Sequence, residues 1–428
     1  MMEAGDREIA SQQSHVLDLP PSCIEFCPAH PDYFVVGTYN LQKEESTVAD
    51  EDVVSDNEDH SESVKKPQSR NGSLVVFRLD RDANMSHVQT LSYPSALLDL
   101  HFHPCQDDHD VLATVSSTGT LSFFQLSPHQ LPSAPLVKLA THRPLGDDES
   151  VLFLSCAWHP ILPHLLAITT SDYQVHILRV DGSWGVHRTS SSPVITHTLE
   201  AWTVAFSPFL AGSHDTADGI VPEGSDGLAI YSGGDDSKLL STTCFYNKGE
   251  SNNTEGDGGI ITVPYPTITI KGHTAGVTAI LPLSFTIPDG SVIVVTGSYD
   301  DYLRIYSIHP QVGGVMLRTP RLLAEKNLGG GVWRLKLIKL DLPKDESPAS
   351  QTSWSALILA SCMHAGCRVL KIDGDDSGFS RINVLGRFEE HQSMNYGSDF
   401  QPGTELDGWP LCCLSTSFYD RLLCLWKF

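Results

Sequence analysis

Short apolar strand patterns alternate with polar turns along the chain, and sustained helical periodicity is nearly absent. One unit, 292-VIVVTGSYDDYLRIYSI-308, has an apolar strand ending in small residues, an acidic turn and a second alternating strand. Alternation with a period of two is typical of half-buried β-strands. Similar units return roughly every 40 to 60 residues. The seven copies lie at 23–80, 97–126, 152–180, 201–245, 272–308, 330–372 and 391–428.

The number of copies predicts how they pack. No copy carries enough apolar surface to fold alone, whereas copies stacked in a ring bury each other's faces and leave only short edges. We therefore predict an all-β fold, a single seven-bladed β-propeller over residues 1–428. The last copy ends at its third strand, so we expect a strand near residues 14–20 to close that blade.

The repeated turn resembles the WD-repeat pattern most closely in the fifth copy. That copy has Gly272-His273 before its first strand, Gly297-Ser298 before the turn, Asp300 in the turn and Tyr306 where the family often has Trp. The family joins such His, Ser, Asp and aromatic residues in a hydrogen-bonded tetrad, and a carboxylate there satisfies backbone N–H groups of the turn. We interpret Asp300 as structural and predict a WD-repeat propeller. The same register assigns structural roles to Asp172, Asp236 and Asp420, and predicts that His391 pairs with Asp420.

The charge and composition of the chain limit the classes of molecule that it is expected to bind. The net charge of −24 argues against nucleic acid and anionic membranes, which require clustered Lys and Arg. Much of the excess lies in an acidic insertion at 42–70, which holds few large apolar residues and is predicted to be a disordered loop. Docking of a basic partner is the alternative role for this loop.

Targeting signals and metal-binding cysteine patterns are absent from the sequence. No apolar run reaches the roughly 18 residues of a membrane helix, and the first 15 residues lack the basic and apolar regions of a secretory signal. The ten cysteines form no CxxC pair, so no zinc site is predicted. Buried free thiols suit a reducing compartment, and we expect a cytoplasmic protein.

Residues that depart from the repeat pattern are the candidates for chemistry. His364 stands where the sixth copy should have its turn Asp, and a neutral imidazole accepts only one hydrogen bond. We predict that His364 faces the central cavity. Asp235 and Asp301 flank structural aspartates without being needed for the turn, and Glu200 lies beside Trp202 at the start of a strand.

Three consecutive glycines, Gly329 to Gly331, precede Trp333 in the sixth copy. Glycine permits backbone conformations closed to other residues. The run is either a loose linker or a segment that brings N–H groups close to a ligand, as an anion hole requires.

A set of motifs resembles the WD-repeat protein of the diphthamide pathway, a family named diphthine methyltransferase and described as a diphthine methyl ester hydrolase. The resemblance covers roughly residues 15–428 outside the acidic insertion. Its motifs are 198-TLEAW-202, 231-YSGGDDSKL-239, 295-VTGSYDDYLRIY-306, 329-GGGVWRLK-336, 361-SCMHAG-366, 391-HQSMNYGSDF-400 and 414-LSTSFYDRLLCLW-426. The pair Met394-Asn395 departs from the small or apolar pair that the family leads us to expect.

The resemblance implies hydrolysis of the methyl ester of methylated diphthine on translation elongation factor 2, which releases methanol. The sequence has no GxSxG elbow, which excludes an α/β-hydrolase site. We expect His364 to act as the base on water or a nearby hydroxyl, and Asp235 or Asp301 to orient it or to hold the trimethylammonium group. Trp202, Trp333 and Tyr396 are expected to bind that cation and Glu200 to add negative charge. No cofactor or metal is implied, and we expect a monomer.

Two other functions stay open. Most WD-repeat propellers are scaffolds for protein–protein assembly, and on that interpretation the carboxylates and tryptophans serve recognition alone. Methyl transfer, which the family name suggests, ranks last because no glycine-rich loop lies between a strand and a helix to hold S-adenosylmethionine.

Overall fold

The computed structural model describes residues 7–41, 69–80, 82–211, 225–247, 260–311, 319–342, 353–375, 378, 380–403 and 410–428. The predicted acidic insertion lies outside the described residues except for its last two positions. Within the described ranges, no helix has the length and apolarity to cross a membrane.

Seven β-sheets of four or five strands each make up the described chain. The strand that begins each sheet contacts the corresponding strands of both neighbouring sheets, so these seven inner strands close a ring around a central tunnel. The predicted all-β, seven-bladed propeller is confirmed. The only helical segment among the described residues is a 3-10 turn at Gln106–Asp108.

The strands divide among the blades in chain order. The N-terminal strands are β1 (Arg7–Ile9) and β2 (Ser11–Val16). Blade 1 contains β3 (Pro21–Phe26), β4 (Tyr33–Thr38), β5 (Asn40–Leu41), β6 (Arg70–Leu79) and β7 (Met85–Tyr93). Blade 2 contains β8 (Leu97–Phe102), β9 (Val111–Ser116), β10 (Leu121–Leu126) and β11 (Leu136–His142). Blade 3 contains β12 (Phe153–Trp158), β13 (Leu165–Thr170), β14 (Gln174–Val180), β15 (Val186–Arg188) and β16 (Ile195–Thr196).

The remaining blades follow the same plan. Blade 4 contains β17 (Ala201–Ala211), β18 (Ser225–Gly234), β19 (Leu239–Asn247), β20 (Ile260–Thr262) and β21 (Ile268–Ile270). Blade 5 contains β22 (Val277–Thr286), β23 (Val292–Ser298), β24 (Tyr302–Ile308) and β25 (Arg321–Asn327). Blade 6 contains β26 (Arg334–Asp341), β27 (Ser353–Ser361), β28 (Cys367–Asp375) and β29 (Ser380–Phe388). Blade 7 contains β30 (Gly397–Phe400), β31 (Cys412–Ser417) and β32 (Leu422–Lys427).

The N-terminal segment completes the last two blades. Strand β2 pairs antiparallel with β32 and is the outer strand of blade 7, while β1 runs parallel to β29 of blade 6. The side chain of Gln13 in β2 accepts a hydrogen bond from the backbone N–H of Met85 in blade 1, at 2.7 Å. One segment therefore links three blades.

The core is divided into seven apolar clusters, each lying between two neighbouring blades. Between blades 6 and 7, for example, the rings of Phe388 and Trp426 stack with centroids 5.3 Å apart. Since each sheet buries both faces against its neighbours, the strands are apolar in long runs and the blades depend on one another for stability.

The turn aspartates are structural, as their position in the repeat predicts. In blade 4, Asp236 Oδ1 lies 3.0 Å from His197 Nδ1, and the other ring nitrogen of His197 lies 2.9 Å from the hydroxyl of Ser232. In blade 7, Asp420 accepts the backbone N–H of Gln392 at 3.0 Å, whereas His391 Nδ1 has no hydrogen-bond partner. The predicted bond between His391 and Asp420 is therefore absent.

Blade 5 corrects the predicted tetrad in two positions. His273 Nε2 lies 2.9 Å from the hydroxyl of Thr296, so the ring is hydrogen-bonded to Thr296 and not to Ser298. The hydroxyl of Ser298 instead donates to the Ala275 carbonyl at 3.0 Å. The buried guanidinium of Arg304 lies between His273 and Asp300, at 2.9 Å and 2.8 Å. A cation thus bridges the imidazole and the carboxylate that sequence analysis expected to bond directly.

Candidate active site at the mouth of the central tunnel

One position of the repeat lies at the same end of the tunnel in every blade. In most blades this residue directly follows the second strand. In blades 4 and 5 the residue is Asp235 or Tyr299, and its backbone N–H donates to the carbonyl of the residue just before the inner strand. Because all seven inner strands begin at this end of the ring, the seven side chains surround one mouth of the tunnel. They are Tyr39, Ser117, Ser171, Asp235, Tyr299, Met363 and Phe418.

Three aromatic residues surround Trp333 at this mouth. The centroid of its ring lies 5.6 Å from that of Trp202, 5.7 Å from that of Tyr299 and 4.9 Å from that of Tyr396. All four side chains are half-buried. We call these four residues the aromatic mouth. The structure therefore joins all three aromatic residues singled out in the sequence and adds Tyr299, which sequence analysis treated as part of a turn.

A carboxylate lies directly beside this cluster. A Cβ atom built on Gly276 would meet Asp235 Oδ1 at 2.8 Å and the Tyr299 ring at 2.9 Å, so the two side chains converge over that glycine. Burial, together with Tyr396 and Asp235, raises the pKa of the Tyr299 phenol. Tyr299 is therefore a neutral aromatic wall beside an exposed carboxylate.

The other predicted acidic residues lie less close to the rings. Glu200 is half-buried, and its backbone carbonyl accepts the N–H of Asp235 at 2.8 Å. Asp301 occupies a left-handed backbone conformation with φ of 66°, and its carbonyl accepts the N–H of Leu328 at 2.9 Å. Its carboxylate forms no hydrogen bond with another described residue. Glu200 thus adjoins Asp235 through the backbone, whereas Asp301 is fixed in its turn by the bond from Leu328 to its carbonyl.

His364 is exposed on the turn of blade 6, next to Met363 of the mouth. Its ring makes no hydrogen bond or ion pair with the rest of the described chain. The turn instead depends on the buried Arg368, which donates to the carbonyls of Ala365 at 2.7 Å and Cys367 at 3.0 Å. Since these bonds hold the turn through its carbonyl groups and do not involve His364, the imidazole of His364 is free of a structural role.

The glycine run packs tightly under this turn. A Cβ atom on Gly330 would lie 2.4 Å from the carbonyl oxygen of Cys362, and one on Gly331 would lie 2.6 Å from Met363 Sδ. The contact at Gly330 is with a backbone atom that cannot move aside, so this position requires glycine, whereas a side chain at Gly331 would displace the side chain of Met363. The run is therefore not a loose linker, because it sets the position of the turn that carries Met363 and His364.

Below the aromatic mouth, a cavity of about 360 Å³ extends into the tunnel. Trp202 and Trp333 line it, as do Arg334 of blade 6 and His101 of blade 2. Arg334 Nη2 reaches across the ring to Asp99 of blade 2 at 2.6 Å. The cavity is therefore lined by both aromatic rings and charged groups.

His101 connects this ion pair to further charges in the tunnel. Its Nε2 lies 3.3 Å from Asp99 and its Nδ1 lies 2.9 Å from Glu25. Lys336 in turn lies 3.0 Å from Glu25 and 3.3 Å from Asp399. The six residues are named the tunnel ion network: Glu25, Asp99, His101, Arg334, Lys336 and Asp399.

The pKa values in this network follow from burial and neighbouring charge. Burial opposes protonation of His101, yet the carboxylates of Asp99 and Glu25 raise its pKa to about 9. Burial also opposes ionisation of Glu25, but Lys336 and His101 lower its pKa to about 2. Burial raises the pKa of Asp399 despite the adjacent Lys336. His101 is therefore a cation at neutral pH and, with both nitrogens bonded to carboxylates, is not a free base.

Metal-binding geometry is not found at this site. Nowhere in the described part of the chain are three or more His, Cys, Asp or Glu side chains grouped so that they could hold a metal ion.

Comparison with known proteins gives relatives that match almost the whole chain. A protein of Schizosaccharomyces pombe named diphthine methyltransferase is 29% identical over 434 residues, which cover 100% of this chain and 99% of the relative. This chain resembles the diphthine methyltransferases over its full length. A Dictyostelium discoideum homologue is 24% identical over 96% of this chain and 97% of its own, and the human protein is 26% identical over 90% and 73%.

The match confirms the resemblance drawn from the sequence motifs. The similarity to the Schizosaccharomyces pombe protein covers all of this chain. No protein-family model matches the chain.

Proposed function

We propose that this protein hydrolyses the methyl ester of methylated diphthine on translation elongation factor 2 and releases methanol. The observation that carries the proposal is the contact of Trp333 with three other aromatic rings beside Asp235. Full-length similarity to proteins named diphthine methyltransferase supports diphthine as the modified residue and its methyl group as the reacting group.

Recognition of the substrate rests on its quaternary ammonium group. A trimethylammonium ion cannot donate hydrogen bonds, and aromatic faces within about 6 Å of the cation attract it through their quadrupoles. Trp202, Trp333 and Tyr396 supply such faces, and Asp235 supplies the opposite charge. Glu200, held next to Asp235 through the backbone, adds to the negative potential at the same rim.

The reaction needs a base for the attacking water. In the proposed mechanism, His364 takes a proton from water as the water oxygen bonds to the ester carbonyl carbon. The carbonyl π electrons move to oxygen, and the tetrahedral intermediate then collapses as the bond to the methoxy oxygen breaks. His364 returns its proton to that oxygen, and methanol leaves. The carboxylic acid that remains releases one proton and becomes the carboxylate of the product.

The two remaining acidic residues have different roles in this mechanism. Asp235 lies at the mouth and holds the ammonium group, whereas Asp301, whose carboxylate makes no hydrogen bond in the described chain, is the proposed partner that orients the base once the substrate is bound. An exposed imidazole with no structural bond can turn toward the substrate as it binds.

The proposal is tested by incubating the purified protein with methyl-esterified, diphthine-bearing elongation factor 2. We expect one methanol per converted side chain, a mass loss of one methylene unit from the factor, and no dependence on S-adenosylmethionine. Stable binding without methanol would favour the scaffold function. Addition of methyl groups from S-adenosylmethionine would instead favour a methyltransferase.

A further inference from the structure

We propose that Arg334 forms an anion subsite in the tunnel cavity, which binds the carbonyl oxygen of the ester and then the carboxylate of the product while the quaternary ammonium group occupies the aromatic mouth. This inference rests on the proposed function and assigns a second half to the same site. The ligand class is a betaine, a molecule that carries a quaternary ammonium and a carboxylate together.

The position of Arg334 supports such a subsite. It directly follows Trp333 in the chain, and both side chains line the same cavity. Its side chain is 27% exposed, and Nη2 donates to Asp99 at 2.6 Å. Because a guanidinium carries five N–H donors in a planar fork, further donors are available to an oxygen in the cavity.

The partners of Asp99 hold the guanidinium in place. Asp99 is fully buried and its Oδ2 accepts the hydroxyl of Ser155 at 2.8 Å and the N–H of Cys156 at 3.2 Å. Because Asp99 is fixed by blade 3, it directs the fork of Arg334 from across the tunnel. Donors fixed before the reaction stabilise a developing oxyanion without a cost of reorganisation.

Arg334 shares its carboxylate partner with a second cationic group. His101 shares the negative charge of Asp99, so Arg334 does not neutralise that carboxylate alone. Asp99 thus serves two cationic groups, and the planar fork of Arg334 is not saturated by it.

The two halves of the site bind two groups of the same diphthine side chain. The ester presents a neutral carbonyl, which accepts a hydrogen bond from Arg334. As water attacks, that oxygen becomes an oxyanion and the bond becomes charge-assisted on both sides, so it strengthens in the transition state. Lys336 cannot do the same, because its ammonium is engaged by Glu25 and Asp399 and does not line the cavity.

Two small probes separate the halves of the site. Tetramethylammonium tests the aromatic mouth alone, and glycine betaine tests the mouth together with the anion subsite. We expect calorimetric titration of the wild-type protein to give roughly tenfold tighter binding of glycine betaine than of tetramethylammonium. Arg334→Gln should remove that preference and leave the affinity for tetramethylammonium unchanged.

Lys336→Gln is the matched control, since it removes the same charge from the same network outside the cavity. It should keep the preference for betaine. Arg334→Gln leaves the buried carboxylate of Asp99 without the guanidinium beside it. If the variant does not fold for that reason, the double variant Asp99→Asn, Arg334→Gln removes both charges, and it should also lose the preference. Three results would contradict the subsite. The wild-type protein could bind the two probes equally, it could show no saturable binding of glycine betaine, or Lys336→Gln could lose the preference as well.

Failure of the anion subsite and failure of the proposed function give different results. If betaine preference depends on Arg334 but no methanol is released from the elongation factor, the subsite stands and the esterase function is wrong. If a folded Arg334→Gln variant keeps the preference for glycine betaine and releases methanol at the wild-type rate, the function stands and this inference is wrong.

Discussion

At the scale of single residues, the site combines side chains that the fold needs with side chains that it does not need. Arg304 and Asp300 are bonded within a turn, whereas His364 has no bond to another described residue. Trp333 lies between these extremes, because its ring packs against three others and still borders the cavity. Substitutions at such positions separate effects on catalysis from effects on stability.

Trp333→Ala should lower kcat/KM for methyl-esterified elongation factor 2 by about ten- to a hundredfold, since it removes the ring at the centre of the cation site. Trp333→Phe keeps an aromatic face and should stay within about fivefold of the wild-type value. Steady-state methanol release measures both. An equal loss in the two variants would show that the aromatic face is not what the substrate needs.

His364→Ala should lower kcat by about 10² to 10⁴-fold, the usual contribution of a general base. Its melting temperature should stay unchanged, because the exposed ring has no structural bond. His129→Ala, at another exposed histidine, is the control and should keep full activity. Near-normal turnover by His364→Ala would remove this residue from the mechanism.

Some residues of the site were predictable from sequence and others were not. Aligning the repeats on the turn aspartate places Asp235, Tyr299 and Met363 in one column, and this column marks the mouth. Charged residues in the tunnel were also predictable from the sequence, since Arg334 and Lys336 are two residues apart on an inner strand. Their partners in blades 1, 2 and 7 could not be deduced, because these depend on the width of the tunnel and the reach of each side chain.

At the scale of elements, the turn between the second and third strands decides what each blade presents at the mouth. Blades 4, 5 and 7 fix this turn with an aspartate that accepts backbone N–H groups. Blade 6 fixes it with Arg368 and with the close approach of Gly330. In blade 6 the residue at the position of the turn aspartate, His364, is therefore left exposed and free of hydrogen bonds to the described chain.

Gly330→Ala should destabilise the protein by about 2 kcal/mol or more, because the new Cβ would collide with the backbone carbonyl of Cys362. The same shift should displace Met363 and His364 and lower the activity. Gly182→Ala is the control, since no atom lies within 4 Å of the added Cβ, and it should change stability by less than about 0.5 kcal/mol. Urea denaturation of both variants measures the difference, and equal stabilities would contradict the packing role of the glycine run.

At the scale of the whole molecule, the tunnel ion network joins blades that are distant in sequence. Arg334 and Lys336 of blade 6 bind carboxylates of blades 1, 2 and 7. The order and number of the blades followed from the repeats and from the apolar surface that each copy must bury. The contacts across the tunnel came only from the structure, since repeat patterns describe neighbouring blades and not opposite ones.

The network makes stability depend on pH. The pKa of His101 is raised from 6.5 to about 9, so its contribution is fully present below pH 6.5 and is lost as the pH rises through 9. A third of the ring is open to the tunnel, so we expect this loss to be about 1–2 kcal/mol. Denaturant unfolding of wild type and His101→Gln from pH 6.5 to 9 measures it. The stability of the variant should fall less than that of the wild type, and parallel pH profiles would show that His101 is not held as a cation.

The central claim is that the aromatic mouth holds the quaternary ammonium group of the modified elongation factor. The most direct measurement is the structure of the wild-type protein in complex with its demethylated product, diphthine-bearing elongation factor 2. The account predicts the trimethylammonium nitrogen within about 6 Å of the centroid of the Trp333 ring. A diphthine side chain bound at any other surface of the propeller would contradict it.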